Sequence, residues 1–195
     1  MDQTHSTRVE FLRMCGGVPW SAERGHALEQ PAAGEWGPVD ADGVIIDARG
    51  RADAPALAVQ TADCLPVVFS AASGRIVAAV HAGRRGLLGG ILTRAAQRIR
   101  AVVDGPVDAL IGPAICGRCY EVPADMAAAS ERSMPGIRAL TSWGTPALDL
   151  PRAAAASLTE LGVRVDVDDR CTLEDSGLFS YRADSSCGRQ ALIIV

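Results

Sequence analysis

The stretch Thr61-Ala62-Asp63-Cys64-Leu65-Pro66-Val67-Val68-Phe69-Ser70-Ala71, with its continuation Ala72-Ser73-Gly74-Arg75-Ile76-Val77-Ala78-Ala79-Val80-His81-Ala82-Gly83-Arg84-Arg85-Gly86, decides the fold. Two apolar runs of strand length, rich in β-branched residues, flank a Ser-Gly turn signal, which predicts a β-hairpin. A two-residue loop of Ala72 and Ser73 pairs Ala71 with Gly74 and, counting outward, Cys64 with His81. Facing residues have Cβ atoms roughly 4.5–5.5 Å apart, so this thiol and imidazole can share a metal ion or act as nucleophile and base. A one-residue slip would send the two side chains to opposite faces. Pro66 must then sit at an edge or a bulge, since it donates no ladder hydrogen bond. The plainer alternative is a buried structural cysteine beside an ordinary histidine; the flanking Asp63 and Arg85 weigh against it.

The 195 residues suit one domain that buries a core without disulfide or metal staples. With 48% apolar residues, 22% charged residues and a net charge of −4, the composition gives no reason to expect nucleic acid or an anionic membrane as partner. No apolar run is long enough to span a bilayer, and the polar start Met1-Asp2-Gln3-Thr4-His5 lacks a signal-peptide core. Six cysteines without secretory context read as reduced thiols, which predicts a cytoplasmic protein.

Outward from the hairpin, residues 3–12 alternate well enough for a strand, and 13–40, dense in Gly, Pro, Glu and Ala, read as a long irregular loop. Asp42–Asp47 and Ala56–Thr61 are strand candidates. Leu87, Leu88, Ile91, Leu92, Ala95, Ile99 and Val102 recur at helical spacing, predicting a helix over 86–103 whose N-terminal end points at the hairpin and suits an anion. Val107–Ile111 reads as a strand, Pro123 opens a helix through Ala129, and 135–146 is loop. Pro151 lies in the first turn of a helix stopped by Gly162; Val163–Val167 is a strand and Ala191–Val195 a last, buried one. Strands and helices mix without strict βαβ alternation, so the expected class is α/β (α+β), one domain with a mixed β-sheet flanked by helices.

Cys116-Gly117-Arg118-Cys119 can be a redox pair or half of a zinc site. A four-cysteine zinc site needs a second pair, and Cys171 and Cys187 are isolated, so a structural loop is the favoured reading. The glycines at 86, 89 and 90 match neither a phosphate-binding loop nor a dinucleotide fingerprint.

Nine segments stand in one order: Gln3-Thr4-His5-Ser6-Thr7-Arg8-Val9, Ala41-Asp42-Gly43, Thr61-Ala62-Asp63-Cys64-Leu65-Pro66, His81-Ala82-Gly83-Arg84-Arg85-Gly86, Ile111-Gly112-Pro113-Ala114-Ile115, Cys119-Tyr120-Glu121-Val122, Leu148-Asp149-Leu150, Cys171-Thr172 and Phe179-Ser180-Tyr181-Arg182. That order resembles the laccase-domain (multicopper polyphenol oxidase) family, whose bacterial members are described as purine nucleoside phosphorylases and peptidoglycan editing factors. The resemblance runs from His5 to the C-terminus. It implies one zinc per chain held by His5, Cys64 and His81. This sequence has Arg84 where the family has Trp, and Ser6 where it has Gly. The stretch that ordinarily precedes the first histidine, with its Arg-x-Gly-Gly-Val-Ser, is absent from these residues.

The resemblance implies a zinc-dependent purine nucleoside phosphorylase with adenosine deaminase and methylthioadenosine phosphorylase activity, its partners a purine nucleoside and phosphate. Two histidines and a thiolate leave a fourth zinc position open, the pattern of a catalytic site. Asp63 is the candidate for proton transfer or for orienting a ligand, working with Cys64 and His81; Arg85 and the start of the 86–103 helix are the candidates for phosphate, with Tyr120 and Glu121 beside the pocket. A second hypothesis is a Cys–His hydrolase of peptidoglycan precursors, with Cys64 as nucleophile and His81 as base; a third is a truncated member that binds metal without turnover. A multicopper centre needs about ten imidazoles, and three histidines exclude it.

Overall fold

The computed structural model describes residues 1, 3–30, 36, 39–51 and 54–195. Aliphatic and β-branched runs form β1 (Val9–Cys15), β2 (Val18–Ser21), β3 (His26–Ala27), β4 (Gly43–Asp47), β5 (Leu57–Thr61), β6 (Leu65–Ala71) and β7 (Ile76–Ala82). There follow α1 (Arg84–Leu88), α2 (Ile91–Arg100), β8 (Val107–Ile111), α3 (Ala124–Ser133), β9 (Arg138–Leu140), β10 (Pro146–Leu148), α4 (Leu150–Glu160), β11 (Arg164–Val167) and β12 (Gln190–Ile194).

Eight strands make one mixed sheet in the order β11-β8-β6-β7-β4-β1-β2-β3, with β1–β4 and β8–β11 parallel and the other neighbours antiparallel. β5 and β12 form a separate antiparallel ribbon, as do β9 and β10. β6 and β7 lie at the centre and are buried on both faces, which is why they read as unbroken apolar runs. One face carries Leu65, Val67, Phe69, Ile76, Ala78, Val80 and Ala82 against the helical residues Leu87, Ile91, Leu92, Ala95 and Ile99. The other face carries Val68 and Ala79 against Val59, Leu57, Leu192 and Ile194 of the β5–β12 ribbon. His81 and Cys64 have the parity of this second face. The expected class, a mixed-sheet α/β domain with flanking helices, is the one observed.

The hairpin forms, but its register is two residues from the predicted one. Pairing resumes at Ala71–Ile76, and His81 lies opposite Pro66. The turn winds through left-handed φ values at Ala72 (51°), Ser73 (54°) and Gly74 (79°), with Gly74 N bonded to Ala71 O and Arg75 N to Ala72 O. An even shift preserves the face of every side chain, so Cys64 and His81 stay on one surface as diagonal neighbours. Pro66 also lies in an interior strand, against expectation. The His81 N–H turns away from it to the Asp42 carbonyl at 2.7 Å, so the Pro66–His81 pair exchanges no hydrogen bond and the missing donor costs the β6–β7 ladder nothing.

Other expectations shift as well. The expected first strand begins only at Val9, with 3–8 preceding it, and residues 13–27, expected as loop, extend β1 and supply β2 and β3 of a three-stranded meander; the part of the expected loop at 31–35 and 37–38 lies outside the described residues. The predicted helix 86–103 is two helices, parted where Gly90 takes φ 80°. α1 has five residues, too short for a helix end to act as an anion site. The segment 135–146 contributes β9 and the start of β10, and β12 is half-exposed in alternation instead of buried.

Candidate active site

His81, 3% exposed, ends the apolar run of β7 and turns its ring toward the ribbon side of the sheet. Its Nδ1 donates to Asp42 Oδ1 at 2.8 Å. Asp42 is fully buried just ahead of β4, and its carboxylate collects more donors: His5 N at 3.0 Å, Ser6 N and Ser6 Oγ at 2.6 Å each, and Thr4 N at 3.3 Å. Burial by itself would raise the Asp42 pKa; the hydrogen bonds from Ser6, His81 and His5 outweigh it and hold the carboxyl below its ordinary value. For His81 burial lowers the pKa more than Asp42 raises it, and His5 adds to the lowering, so the imidazole is held neutral with Nε2 free.

One carboxylate therefore fixes two histidines, His81 through its ring and His5 through its backbone. His5 takes the left-handed φ of 60°, which lets three successive N–H groups turn onto Asp42. Its ring meets His81 edge-on, with centroids 4.7 Å apart and planes at 82°. Cys64 follows Asp63, itself at φ 87°, and its Sγ lies 3.7 Å from His5 Nε2. Gly83 closes the arrangement: a Cβ there would stand 2.6 Å from His5 Cδ2 and 3.1 Å from Cys64 Sγ.

One ligand atom from each of His5, Cys64 and His81 lies within 4.8 Å of the other two. Two imidazole nitrogens and a sulfur at this spacing are compatible with a single metal ion. The outer carboxylate–histidine pair is the partner such ligands ordinarily have. The residues present fit a metal. Burial first, and then the Asp63 charge, push the Cys64 thiol up to about 11, with Arg189 opposing.

These residues open onto a cavity of about 580 Å³, lined also by Gln3, Gln60, Thr61, Tyr181 and Arg189. Gln3 is fixed by a reciprocal pair, its Nε2 donating to Gln60 O at 2.7 Å and its Oε1 accepting from Gln60 N at 3.1 Å. Asp63 faces away: it accepts from Thr172 Oγ1 at 2.7 Å and from Arg182 N at 2.7 Å, so its carboxylate ties down the C-terminal loop. Arg85 is exposed on α1 and is not among the residues that line this cavity, whereas Arg84 is half-buried beside Tyr120. Tyr120 stacks under the Arg182 guanidinium at 5.2 Å. Glu121 accepts from Trp143 Nε1 at 3.0 Å, and its carbonyl accepts from Arg182. Asp42, Tyr181 and Arg189 carry no assigned role in the sequence reading. Asp42 has a legible signal, a carboxylate directly ahead of the apolar run Val44-Ile45-Ile46.

A family model described as multi-copper polyphenol oxidoreductase laccase matches residues 1–195. A purine nucleoside phosphorylase of Mycobacterium tuberculosis is 41% identical over 197 residues, spanning 100% of this chain and 70% of its own. One of Streptomyces griseus is 44% identical over 198 residues, covering 98% of this chain and 71% of its own. Among solved structures, protein NMB0706 of Neisseria meningitidis superposes with a TM-score of 0.72 at 35% identity, over 100% of this chain and 73% of that one. YlmD of Geobacillus stearothermophilus gives a TM-score of 0.71 at 28% identity, over 99% and 71%. By a match along its whole length and by the strength of these relatives, the chain belongs to the multi-copper polyphenol oxidoreductase laccase family.

Proposed function

We propose that this cavity is the active site of a zinc-dependent purine nucleoside phosphorylase. The observation that carries the proposal is the convergence of His5, Cys64 and His81 on the wall of a cavity of about 580 Å³, in a chain whose relatives bear that name. The volume is within the usual range for small-ligand sites, on the order of 300–1,000 Å³. Zinc held by these three side chains would supply a Lewis acid with one open position.

The chain's own residues divide the remaining work. Asp42 holds His81 neutral and oriented, and the same carboxylate keeps His5 in place. The exposed ring of Tyr181 at the rim gives a purine an apolar surface, and the Gln3–Gln60 pair holds that wall rigid. Among the described residues Arg189 is the arginine that lines the cavity, and it replaces Arg85 as the phosphate-binding candidate. Phosphate oriented there would attack the ribose anomeric carbon; the C–N bond to the base breaks, and the purine leaves with the electron pair and takes a proton. Asp63, with both carboxylate oxygens engaged, serves as a positioning residue. Adenosine deamination and methylthioadenosine phosphorolysis belong to the same proposal, as reactions of the same pocket.

The Cys–His hydrolase is the weaker reading. A nucleophilic thiol needs a depressed pKa, and burial raises that of Cys64. Incubation with adenosine, with and without phosphate, tests the proposal: adenine with ribose 1-phosphate appearing only with phosphate is expected. Inosine would mark deamination, and no conversion of any purine nucleoside by zinc-loaded protein would overturn it.

A further inference from the structure

Away from the cavity, the fold assembles a second set of soft donors. Cys116, Cys119, Cys171 and Glu174 each place one ligand atom within 4.8 Å of the others. From sequence alone the Cys-x-x-Cys segment reads as a loop, because the chain holds no second cysteine pair. The chain completes the set differently, with one cysteine and one carboxylate from a segment more than fifty residues on.

The local geometry is that of a metal knuckle. Cys119 N and Tyr120 N both donate to Cys116 O, at 3.0 and 2.9 Å, curling the first segment around its two thiols. The knuckle is seated against α4, where a Cβ on Gly117 would stand 2.7 Å from Asp149 Cβ. Ala114 bridges to Cys171, with Thr172 N donating to Ala114 O at 3.1 Å, and this sets the third sulfur beside the first two. Cys116 N donates to Cys171 Sγ at 3.3 Å, an N–H aimed at sulfur of the kind that supports a bound thiolate. A tight turn, Glu174 N and Asp175 N to Cys171 O at 3.1 and 2.9 Å, brings Glu174 back over the cluster, its Oε2 3.9 Å from Cys116 Sγ. Cys119 and Cys171 are buried, while Glu174 is exposed and closes the cluster from the solvent side, paired with Arg118 at 3.2 Å.

Free cysteines are commonly buried as small apolar side chains. Apolar packing does not call for a carboxylate at the point where three sulfurs meet, nor for a backbone N–H aimed at one of them. We propose that Cys116, Cys119, Cys171 and Glu174 form a second, structural metal site. Three thiolates select a soft or borderline ion, and a carboxylate oxygen favours a divalent one over Cu(I), so the cation is zinc-like. Four protein donors fill a tetrahedral sphere and leave no open position, unlike the site at His5, Cys64 and His81. Its place in the fold gives it a purpose. Cys119 precedes Tyr120, and Cys171 precedes Thr172, which is bonded to Asp63 next to Cys64. Metal there would brace the two segments that back the cavity wall. The proposal does not depend on the reaction assigned to that cavity.

Metal analysis of the full-length protein, purified with zinc present, tests it. The wild type is expected to hold two equivalents of zinc per chain, one for each donor set, with Cys171→Ser and Cys64→Ser each retaining one. Cobalt titration of the metal-free protein separates the sites without reference to activity. The thiolate-to-cobalt absorption of Cys64→Ser, from three sulfurs, should be about three times as intense as that of Cys171→Ser, from one. Should Cys171→Ser fail to fold, Glu174→Gln keeps all three thiols and is expected to weaken the second zinc by about tenfold or more. One zinc in the wild type with none in Cys64→Ser, a cobalt spectrum unaltered by loss of Glu174 or Cys171, or a disulfide joining any two of Cys116, Cys119 and Cys171 in the isolated protein would overturn the proposal.

Discussion

His81 donates its Nδ1 proton to Asp42 across 2.8 Å, in a spot where Asp42 is fully buried and His81 is 3% exposed. That bond fixes the tautomer of the histidine and sends its other nitrogen to the cavity. Because the same carboxylate holds residues 4–6, the position of His5 depends on it as well. Asp42→Asn should therefore weaken zinc binding roughly 10–100-fold. It should also release residues 3–6 to hydrogen exchange while the sheet stays protected. Zinc competition against a chromophoric chelator, together with exchange mass spectrometry, checks both; wild-type affinity in the variant would remove Asp42 from the site.

The same pair sets an acid sensitivity in the metal-free protein. The folded chain keeps His81 neutral, with its pKa below the ordinary 6.5, so protonation favours the unfolded chain and stability falls as pH drops from 6.5 through the folded value. The Asp42 carboxyl lies below its ordinary 3.8, so its contribution is complete above that pH and is lost as pH falls through the lower folded value. Tm followed against pH should show two declines in the wild type, and in Asp42→Asn the lower one should shrink but persist, because Asp47, Glu131, Asp168 and Asp184 are also held below their ordinary values. A single decline shared by both proteins would contradict this assignment.

Gly83 is required by what lies against it. With a Cβ 2.6 Å from the His5 ring, Gly83→Ala must push His5 off the site while leaving β6 and β7 paired. Zinc affinity should drop as far as in His5→Ala, with the far-UV circular dichroism of the two variants unchanged. Full zinc retention in Gly83→Ala would mean that His5 approaches from elsewhere.

Without metal, the Cys64 thiol is a poor nucleophile at neutral pH, because its pKa is pushed up to about 11. Alkylation of Cys64 by iodoacetamide, followed by peptide mapping on the metal-free protein, should be slow at pH 7 and keep accelerating toward pH 11. Rapid labelling at neutral pH would restore the Cys–His hydrolase.

Arg189→Ala is expected to raise the KM for phosphate by one to two decades, since a charge-assisted contact to a phosphate contributes about 1.5–3 kcal/mol. Arg85→Ala, on the exposed face of α1, should leave that KM within twofold of wild type. The opposite ranking would return the phosphate to Arg85.

Much of this is legible in the residues before any coordinates. The hairpin follows from its β-branched runs, and the partnership of Cys64 with His81 survives a register error because the error is even. What escapes is whatever depends on contacts distant in sequence. The grip of Asp42 on residues 4–6 is a side chain bonding to loop backbone, which has no periodicity to detect. Cys171 is an isolated cysteine in the sequence and becomes a partner of Cys116 only through a single bridge at Ala114. Arg84 and Arg85 are adjacent letters, and their different fates are set by the five-residue α1 that carries them.

The β5–β12 ribbon imposes an order of assembly. His5, Cys64 and His81 all lie in the first half of the chain, whereas Tyr181 and Arg189 are held by the last fifteen residues, with β12 pairing back to β5 and Arg182 N reaching Asp63 from 119 positions away. Contacts so far apart in sequence close late, after shorter loops have formed. A chain leaving the ribosome thus presents His5, Cys64 and His81 well before the residues that complete the cavity wall. A chain stopped short of β12 would therefore leave β5 unpaired and Val68 and Ala79 of the central strands without the cover of Leu192 and Ile194, on the sheet face that carries His81.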